Sequence, residues 1–158
     1  MITGGLMEIS ELISFFREDL FFPEFKADSK EEALSLLTDQ FVDLGIVKNK
    51  NIVFEMLQRR ESAGSTGIGH GIAVPHGRTT AAPELTIAFA KISKGLDWNS
   101  MDGNPVTLIF LVIAPPFEEN NLYLPVLGRL VEVLSKAQHR EQLAGVTSFD
   151  EFKQILTQ

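Results

Sequence analysis

Cysteine is absent from the sequence, and its absence excludes disulfide bonds, thiolate metal sites and cysteine nucleophiles. Long apolar runs are absent too. The longest, residues 106–115, has the length of a strand, whereas a membrane span needs about 18 residues. The start of the chain, MITGGLMEIS, lacks the basic residues and apolar block of a secretory signal. We therefore expect a cytoplasmic protein that does not insert directly into a membrane.

Positive charge is scarce. Lysine and arginine together number 14 against 21 acidic residues, which gives a formal net charge of -7 and a pI near 4.9. A nucleic-acid partner requires a basic surface, so this composition argues against one. An acidic surface is compatible with a basic protein partner.

The remaining composition is that of an ordinary globular domain. The chain has 158 residues, of which 44% are hydrophobic and 22% charged, and this is enough to bury a core. No internal repeat, linker or low-complexity segment divides it. We predict one domain over residues 7–158 and a flexible N-terminal lead-in at residues 1–6.

Apolar residues at helical spacing predict four main helices. Ser29 followed by Glu32 is a capping box, whose hydroxyl and carboxylate accept hydrogen bonds from backbone N–H groups at the helix start. Gly45 ends that helix. The four helices cover residues 30–44, 50–62, 122–134 and 149–156. Among the side chains expected on the inward faces are Leu36, Leu44, Ile52 and Val131.

Strand patterns lie between these helices. Residues 85–92 and 106–114 are predicted strands, and the second is apolar throughout, which indicates burial on both faces. A short buried strand covers 72–74, and 20–25 is an edge strand because Pro23 interrupts it. The mixed order of helices and strands predicts a single α/β domain, with a mixed β-sheet flanked by helices in three layers.

The side chains most suited to binding or reaction lie close together in residues 60–78, RESAGSTGIGHGIAVPHGR. Its glycines let backbone N–H groups point into one concavity, which favours an anion. Ser65 and Thr66 add hydroxyl groups to this segment, and Arg60 and Arg78 add positive charge from both sides.

His76 is the candidate nucleophile of this segment. A neutral imidazole has one nitrogen free to attack, while the other can be held by a carbonyl group. We expect His76 in a turn that closes the short strand, with Gly77 leaving space beside its ring. A histidine beside an anion site has what phosphoryl transfer requires, namely alignment and stabilisation of charge on the phosphoryl oxygens.

Other interpretations of the segment fail on spacing. A Walker loop needs a lysine that the segment lacks, and a dinucleotide fingerprint needs glycine where Ile72 stands. His70 and His76 are six residues apart with no third ligand in view, so we predict no metal site. His139 lies far away in a charged stretch and is expected to be solvated.

The runs GSTGIG at 64–69 and GIAVPHG at 71–77 resemble the active-site signature of type-2 enzyme IIA domains. These are the fructose- and mannitol-class domains of the phosphoenolpyruvate-dependent sugar phosphotransferase system, together with the related nitrogen-regulatory enzyme IIA. The resemblance covers nearly the whole chain. It implies a mixed sheet between helical layers, a phosphotransferase with a phosphohistidine intermediate, and no cofactor.

The resemblance also implies roles and partners. His76 matches the phosphorylated histidine, which receives its phosphoryl group from an HPr-like carrier, and Arg60 matches an arginine that stabilises that group. The loop beside them adds phosphoryl-binding residues, namely Ser65, Thr66, Gly67 and Gly69. The acceptor is an enzyme IIB in the sugar branch, or a regulated protein in the nitrogen branch.

Two positions depart from the family pattern. His70 stands where many members have asparagine, which tolerates left-handed backbone better. Tyr123 stands where many members have a second histidine. A tyrosine hydroxyl can still donate to a phosphoryl oxygen, so we include Tyr123 among the phosphoryl-binding residues, but it cannot become cationic.

Three uses of such a domain stay open. The GSTGIG motif and the stand-alone length of the chain favour a nitrogen-type regulatory phosphocarrier. One alternative is a sugar-specific component that feeds an enzyme IIB. The other is a regulatory protein-binding module with the same fold and little phosphoryl turnover.

Overall fold

Six strands and six helices make up the computed structural model over residues 7–158, the part of the chain that it describes. The strands are β1 (Phe16–Phe22), β2 (Gly67–Gly69), β3 (Ile72–Ala73), β4 (His76–Arg78), β5 (Thr86–Leu96) and β6 (Val106–Ala114). The helices are α1 (Ile9–Ile13), α2 (Lys30–Asp43), α3 (Lys50–Ser62), α4 (Tyr123–Leu134), α5 (Ala137–Ala144) and α6 (Phe149–Leu156). The predicted lead-in, residues 1–6, lies outside the described residues.

Strand β6 is the centre of the sheet. It pairs antiparallel with β5 and parallel with both β3 and β4, while β1 pairs parallel with β5 and β2 antiparallel with β3. The order β1-β5-β6-β3-β2 leaves β1 at an edge, as predicted, although β1 begins earlier than the predicted strand at 20–25 and ends just before Pro23. All residues of β6 except Thr107 are buried, which confirms the predicted burial on both faces.

Each face of the sheet has its own apolar core, because alternate residues of β6 point to opposite faces. Phe110 and Val112 lie in the cluster shared with α1, α4, α5 and α6. Ile109 and Leu111 lie in the cluster shared with α2 and α3. Phe152 is central to the first cluster, with its ring centroid 4.7 Å from that of Phe89 and 5.0 Å from that of Phe16. The predicted three layers are therefore confirmed.

Helix α2 begins and ends as its sequence indicates. The backbone N–H of Glu32 donates to Ser29 Oγ at 3.0 Å, and Gly45 follows the helix with φ of +73°. The carboxylate of Glu32 accepts from the N–H of Asp28 at 2.8 Å, one residue earlier than in the predicted capping box.

Some predicted helix faces were wrong. Leu36, Leu44, Ile52 and Val131 are each more than a third exposed. The reason is geometric: a helix packed on one sheet face buries only the stripe that meets the sheet, and these residues lie beside it.

Helix α5 was missed, and so was the burial of His139 within it. The His139 side chain is only 4% exposed. Its Nδ1 lies 2.7 Å from the carbonyl oxygen of Val133, and its Nε2 lies 3.0 Å from that of Gln158. A polar ring is tolerated inside a protein when its nitrogens have partners, so the predicted solvation of His139 was wrong.

None of the helices within residues 7–158 combines the length and the apolar character that crossing a membrane requires.

Candidate active site

His76 is the first residue of β4, where it pairs with Val112 of β6. The predicted turn at this point was wrong, because hydrogen bonds to β6 continue on both sides of His76. The N–H of Val112 donates to the carbonyl of Pro75 at 2.9 Å, and the N–H of Thr79 donates to that of Ala114 at 2.8 Å. The strand fixes the backbone of His76 while its side chain stays partly exposed.

One hydrogen bond sets the tautomer of the His76 ring. Nδ1 lies 2.7 Å from the carbonyl oxygen of Val74. A carbonyl oxygen only accepts hydrogen bonds, so Nδ1 carries the hydrogen and Nε2 of the neutral ring holds the free lone pair. Nε2 is therefore the ring nitrogen that is free to form a bond with another atom, a distinction that sequence alone did not provide.

The surroundings of His76 keep its ring neutral. Burial is the largest effect and lowers the pKa of His76 below its ordinary value. The hydrogen bond to Val74 and the charge of Glu61 raise the pKa, whereas the charge of Arg60 lowers it, and the net result is a lowered value. A neutral imidazole at neutral pH is the form that can act as a nucleophile.

Arg60 lies in the last turn of α3 and is tied to the loop that follows. Its Nη1 donates to the carbonyl of Gly64 at 2.8 Å. Helix α3 approaches β4 closely because Gly77 has no side chain: a Cβ atom there would lie 1.8 Å from the Sδ atom of Met56. The space expected beside His76 is thus filled by a methionine, and the glycine lets α3 carry Arg60 to the site.

Ser65, Thr66 and Gly67 brace the loop between α3 and β3. The hydroxyl of Ser65 donates to the carbonyl of Trp98 at 2.6 Å and accepts from the N–H of Gly67 at 3.0 Å. The hydroxyl of Thr66 donates to the carboxylate of Glu61 and accepts from Trp98 Nε1 at 3.1 Å. Each hydroxyl has one hydrogen, so in this conformation neither offers a donor to a bound anion. Both hydroxyl hydrogens are engaged within the protein in this conformation, and the binding of a phosphoryl group by Ser65, Thr66 and Gly67 stays a prediction.

Sequence reasoning missed the partners of this loop. The carboxylate of Glu61 also accepts from the N–H of Thr66 at 3.1 Å and forms an ion pair with Lys30 Nζ at 2.7 Å. Lys30 Nζ lies 3.3 Å from the carbonyl oxygen of Trp98 and 5.3 Å from its ring centroid. Lys30 and Trp98 are 68 residues apart, and no local pattern signals such a contact.

The turn at His70 is held from outside the loop. Gly69, His70 and Gly71 all have positive φ, and His70 at +57° adopts the left-handed conformation that asparagine would favour. Its N–H donates to the carboxylate of Asp102 at 2.8 Å. This bond, followed by one from Asn104, lowers the pKa of Asp102. The loop therefore forms with histidine at this position, and the His70 side chain is exposed.

Tyr123 lies near His76 and is covered by Arg78. The Tyr123 ring centroid is 6.1 Å from that of His76, and the Arg78 guanidinium carbon is 4.4 Å from the Tyr123 ring centroid. Burial raises the pKa of Tyr123, an effect that the charges of Arg78 and Arg60 oppose. The tyrosine is therefore a neutral hydroxyl at physiological pH.

Together these side chains form an open site with one neutral imidazole and two guanidinium groups. Among residues 7–158, no group of three or more His, Asp or Glu side chains is placed to hold a metal ion. Partial exposure of His76 suits a reacting group delivered by another macromolecule more than a small molecule enclosed in a cavity.

Comparison with known proteins assigns the family. Residues 14–158 match the family described as phosphoenolpyruvate-dependent sugar phosphotransferase system, EIIA 2. The chain belongs to this family. It is also 30% identical over 152 residues to the fructose-specific EIIA component of the phosphotransferase system of Haloferax volcanii, and this match covers 96% of the chain and 98% of its relative. This enzyme IIA domain is therefore a phosphocarrier, and the family indicated by its glycine-rich motif is confirmed.

Solved structures agree with this assignment. The nitrogen regulatory protein IIA-Ntr of Neisseria meningitidis superposes with a TM-score of 0.85 at 29% identity, covering 92% of the present chain and 99% of that protein. The mannitol enzyme IIA of Escherichia coli, in complex with phosphorylated mannitol enzyme IIB, gives a TM-score of 0.74 at 27% identity and covers 90% and 98% of the two chains. The predicted fold is thereby confirmed.

Proposed function

We propose that this enzyme IIA domain carries its phosphoryl group on Nε2 of His76. The observation that supports this assignment is the 2.7 Å contact between Nδ1 and the carbonyl of Val74. It leaves Nε2 as the ring atom with a lone pair, and the lowered pKa of His76 keeps that lone pair free of a proton at neutral pH.

The transfer step balances without moving a proton. The lone pair of Nε2 forms the new P–N bond, and the P–N bond of the donor's phosphohistidine breaks with its electron pair returning to the donor's ring. A donor ring that carries a hydrogen on its other nitrogen then leaves as neutral imidazole. His76 keeps its Nδ1 hydrogen, so its ring becomes cationic, and the Val74 carbonyl stabilises that charge.

Arg60 stabilises the phosphoryl oxygens during transfer in this proposal. Its Nη1 is engaged by the carbonyl of Gly64, which holds the guanidinium in place and leaves other N–H groups for the anion. Preorganised donors of this kind contribute about 3 kcal/mol each to a transition state. Catalysis of phosphoryl transfer consists largely of such positioning and charge stabilisation.

We propose an HPr-like phosphohistidine protein of the cytoplasm as the donor. The exposed face around His76 admits the histidine of a second protein, and the guanidinium groups of Arg60 and Arg78 attract its phosphoryl group. The acceptor is either an enzyme IIB, as in the mannitol complex of Escherichia coli, or a regulated protein.

Regulatory use of the nitrogen type is the branch we favour. The superposition on the Neisseria IIA-Ntr protein, at a TM-score of 0.85, is better than that on the mannitol enzyme IIA, at 0.74. Mixing the phosphorylated protein with enzyme IIB domains of the mannitol and fructose classes tests this choice. Retention of the phosphate supports regulatory use, whereas rapid loss to either acceptor supports sugar transport.

The test of the carrier itself is intact mass after incubation with phosphoenolpyruvate, enzyme I and an HPr-type carrier. We expect one acid-labile phosphate on the wild type, none on His76→Ala, and one on His70→Ala. The last variant is a matched control, because His70 is an exposed histidine of the same segment. A phosphate that persists in His76→Ala contradicts the assignment of His76, and a wild type that stays unmodified contradicts carrier activity with this donor.

A further inference from the structure

Beside His76, Arg78 is held over the ring of Tyr123 with its guanidinium carbon 4.4 Å from the ring centroid. We propose that Arg78 is a second cationic ligand of the phosphoryl group on His76, and that Tyr123 is the positioning residue that holds it there. This inference rests on the proposed function and adds a residue to its site.

The strand places Arg78 on the correct side. His76 and Arg78 are two residues apart on β4, so their side chains leave the same face of the sheet. Gly77 between them faces α3, where Met56 packs against it. The ring of Tyr123, 6.1 Å from that of His76, lies on the face that His76 and Arg78 share.

Arg78 also has its donors available. Among residues 7–158, its guanidinium takes part in none of the hydrogen bonds or ion pairs, although Arg60 nearby already donates to Gly64. A guanidinium that lies over an aromatic ring is attracted there by the ring's electrons, without a conventional hydrogen-bond acceptor taking up its N–H groups. Arg78 is thus restrained in position while its five N–H donors stay free for an anion.

The pair explains how the site works with tyrosine at position 123. A histidine there could become cationic, whereas Tyr123 stays neutral because burial raises its pKa. Arg78, which lies over the Tyr123 ring, supplies positive charge next to that position, so in this proposal both Arg60 and Arg78 act on the phosphoryl group. Tyr123 contributes the aromatic ring over which the Arg78 guanidinium lies.

An equilibrium measurement separates this role from a role in docking. The equilibrium between phosphorylated HPr-type carrier and phosphorylated enzyme IIA depends only on the free proteins, so a residue that acts only in docking changes the rate and leaves the equilibrium constant unaltered. A residue that binds the phosphoryl group changes the constant itself. We would measure it by intact mass of both proteins after mixing known ratios.

We expect Arg78→Gln to shift the equilibrium about tenfold toward the phosphorylated donor. This shift lies at the lower end of the range for a charge-assisted hydrogen bond, because the site is partly exposed. Arg78→Lys keeps the charge and should recover part of the shift. Arg59→Gln is the matched control: it removes the same charge from an exposed arginine on α3, and we expect less than a twofold change.

Tyr123 is tested through Arg78. Tyr123→Leu should shift the equilibrium in the same direction as Arg78→Gln, whereas Tyr123→Phe keeps the aromatic ring under Arg78 and should shift it less than Tyr123→Leu does. The double variant with Arg78→Gln and Tyr123→Leu should match Arg78→Gln alone, because the tyrosine acts through the arginine.

Several results would overturn the inference. An unchanged constant in Arg78→Gln, or an equal shift in Arg59→Gln, removes Arg78 as a ligand. A shift in Tyr123→Phe as large as that in Tyr123→Leu shows that the hydroxyl and not the ring matters, and removes Tyr123 as the residue that positions Arg78. If Tyr123→Leu fails to fold by circular dichroism, the Arg78 variants decide alone. Failure of the proposed function is distinct, because the wild type would then take up no phosphate on His76.

Discussion

Replacement of Glu61 by alanine is the sharpest test of how the active-site loop is supported. The Glu61 side chain is 8% exposed and meets the Lys30 ammonium at 2.7 Å, together with the N–H and the hydroxyl of Thr66. Glu61→Ala leaves all three donors without their acceptor. The Thr66 hydroxyl also accepts from Trp98 Nε1, so Glu61→Ala loosens a hydroxyl that contacts Trp98, while the bond from Ser65 to the Trp98 carbonyl remains.

The expected loss can be worked from these contacts. Removing one partner of a buried ion pair costs about 3–5 kcal/mol. The Lys30 side chain is 22% exposed, and water can solvate part of its charge, so we expect a smaller loss in the free energy of unfolding. A loss of about 2–3 kcal/mol corresponds to a fall in Tm of roughly 4–12 °C for a domain of this size.

Urea unfolding followed by tryptophan fluorescence is the assay, because Trp98 is the protein's single tryptophan and belongs to the network. Glu55→Ala is the matched control, since Glu55 is an exposed carboxylate on the same helix. We expect it to change stability by less than about 0.5 kcal/mol. Phosphorylation of His76 in Glu61→Ala should also slow, because the loop that holds Arg60 through Gly64 is released. A stability loss in Glu61→Ala no larger than that of Glu55→Ala would refute the reasoning.

Three further predictions concern His76, Gly77 and His139. The rate of His76 phosphorylation, measured by intact mass from pH 5 to pH 8, should rise with pH, and the midpoint of the rise should lie below the ordinary histidine pKa of 6.5. A midpoint above 6.5 contradicts a neutral nucleophile. The lowered pKa also means that the unfolded chain binds the extra proton more readily, so stability should fall below pH 6.5, and less steeply in His76→Gln. Gly77→Ala should destabilise by about 1–3 kcal/mol through contact with Met56. When Met56→Ala is combined with Gly77→Ala, part of that loss should be restored in thermal unfolding. If the stability losses of the two single variants simply add in the double variant, the contact between Gly77 and Met56 is contradicted. His139→Ala should lose about 1–3 kcal/mol in urea unfolding, because the carbonyl oxygen of Val133 or of Gln158 loses the ring N–H that donates to it, and a loss as small as that of an exposed residue contradicts its burial.

Features encoded within a few neighbouring residues were predictable from the sequence. Ser29 begins α2 and Gly45 follows its end, because capping is a local matter of side-chain hydrogen bonds and positive φ. The apolar run 106–114 became β6, since only the centre of a sheet buries both faces of a strand. The glycine-rich motif around His76 identified the family for the same reason, because the residues that define the motif are close together in the sequence.

Contacts between distant segments were decided only by the tertiary structure. Lys30 meets Glu61 and Trp98 because α2 and α3 pack on one sheet face, and helical periodicity does not state which helices become neighbours. His139 is buried because the end of the chain returns to it, so a charged local sequence gave the wrong expectation.

The site itself divides in the same way. The sequence by itself determined that His76, Arg60 and a glycine-rich loop belong together. Only the fold determined that the Val74 carbonyl holds Nδ1, that the hydroxyls of Ser65 and Thr66 donate to Trp98 and Glu61, and that Arg78 lies over the Tyr123 ring. Hydrogen-bond direction and stacking depend on where side chains meet in space, and the pairing of β4 with β6 establishes that geometry.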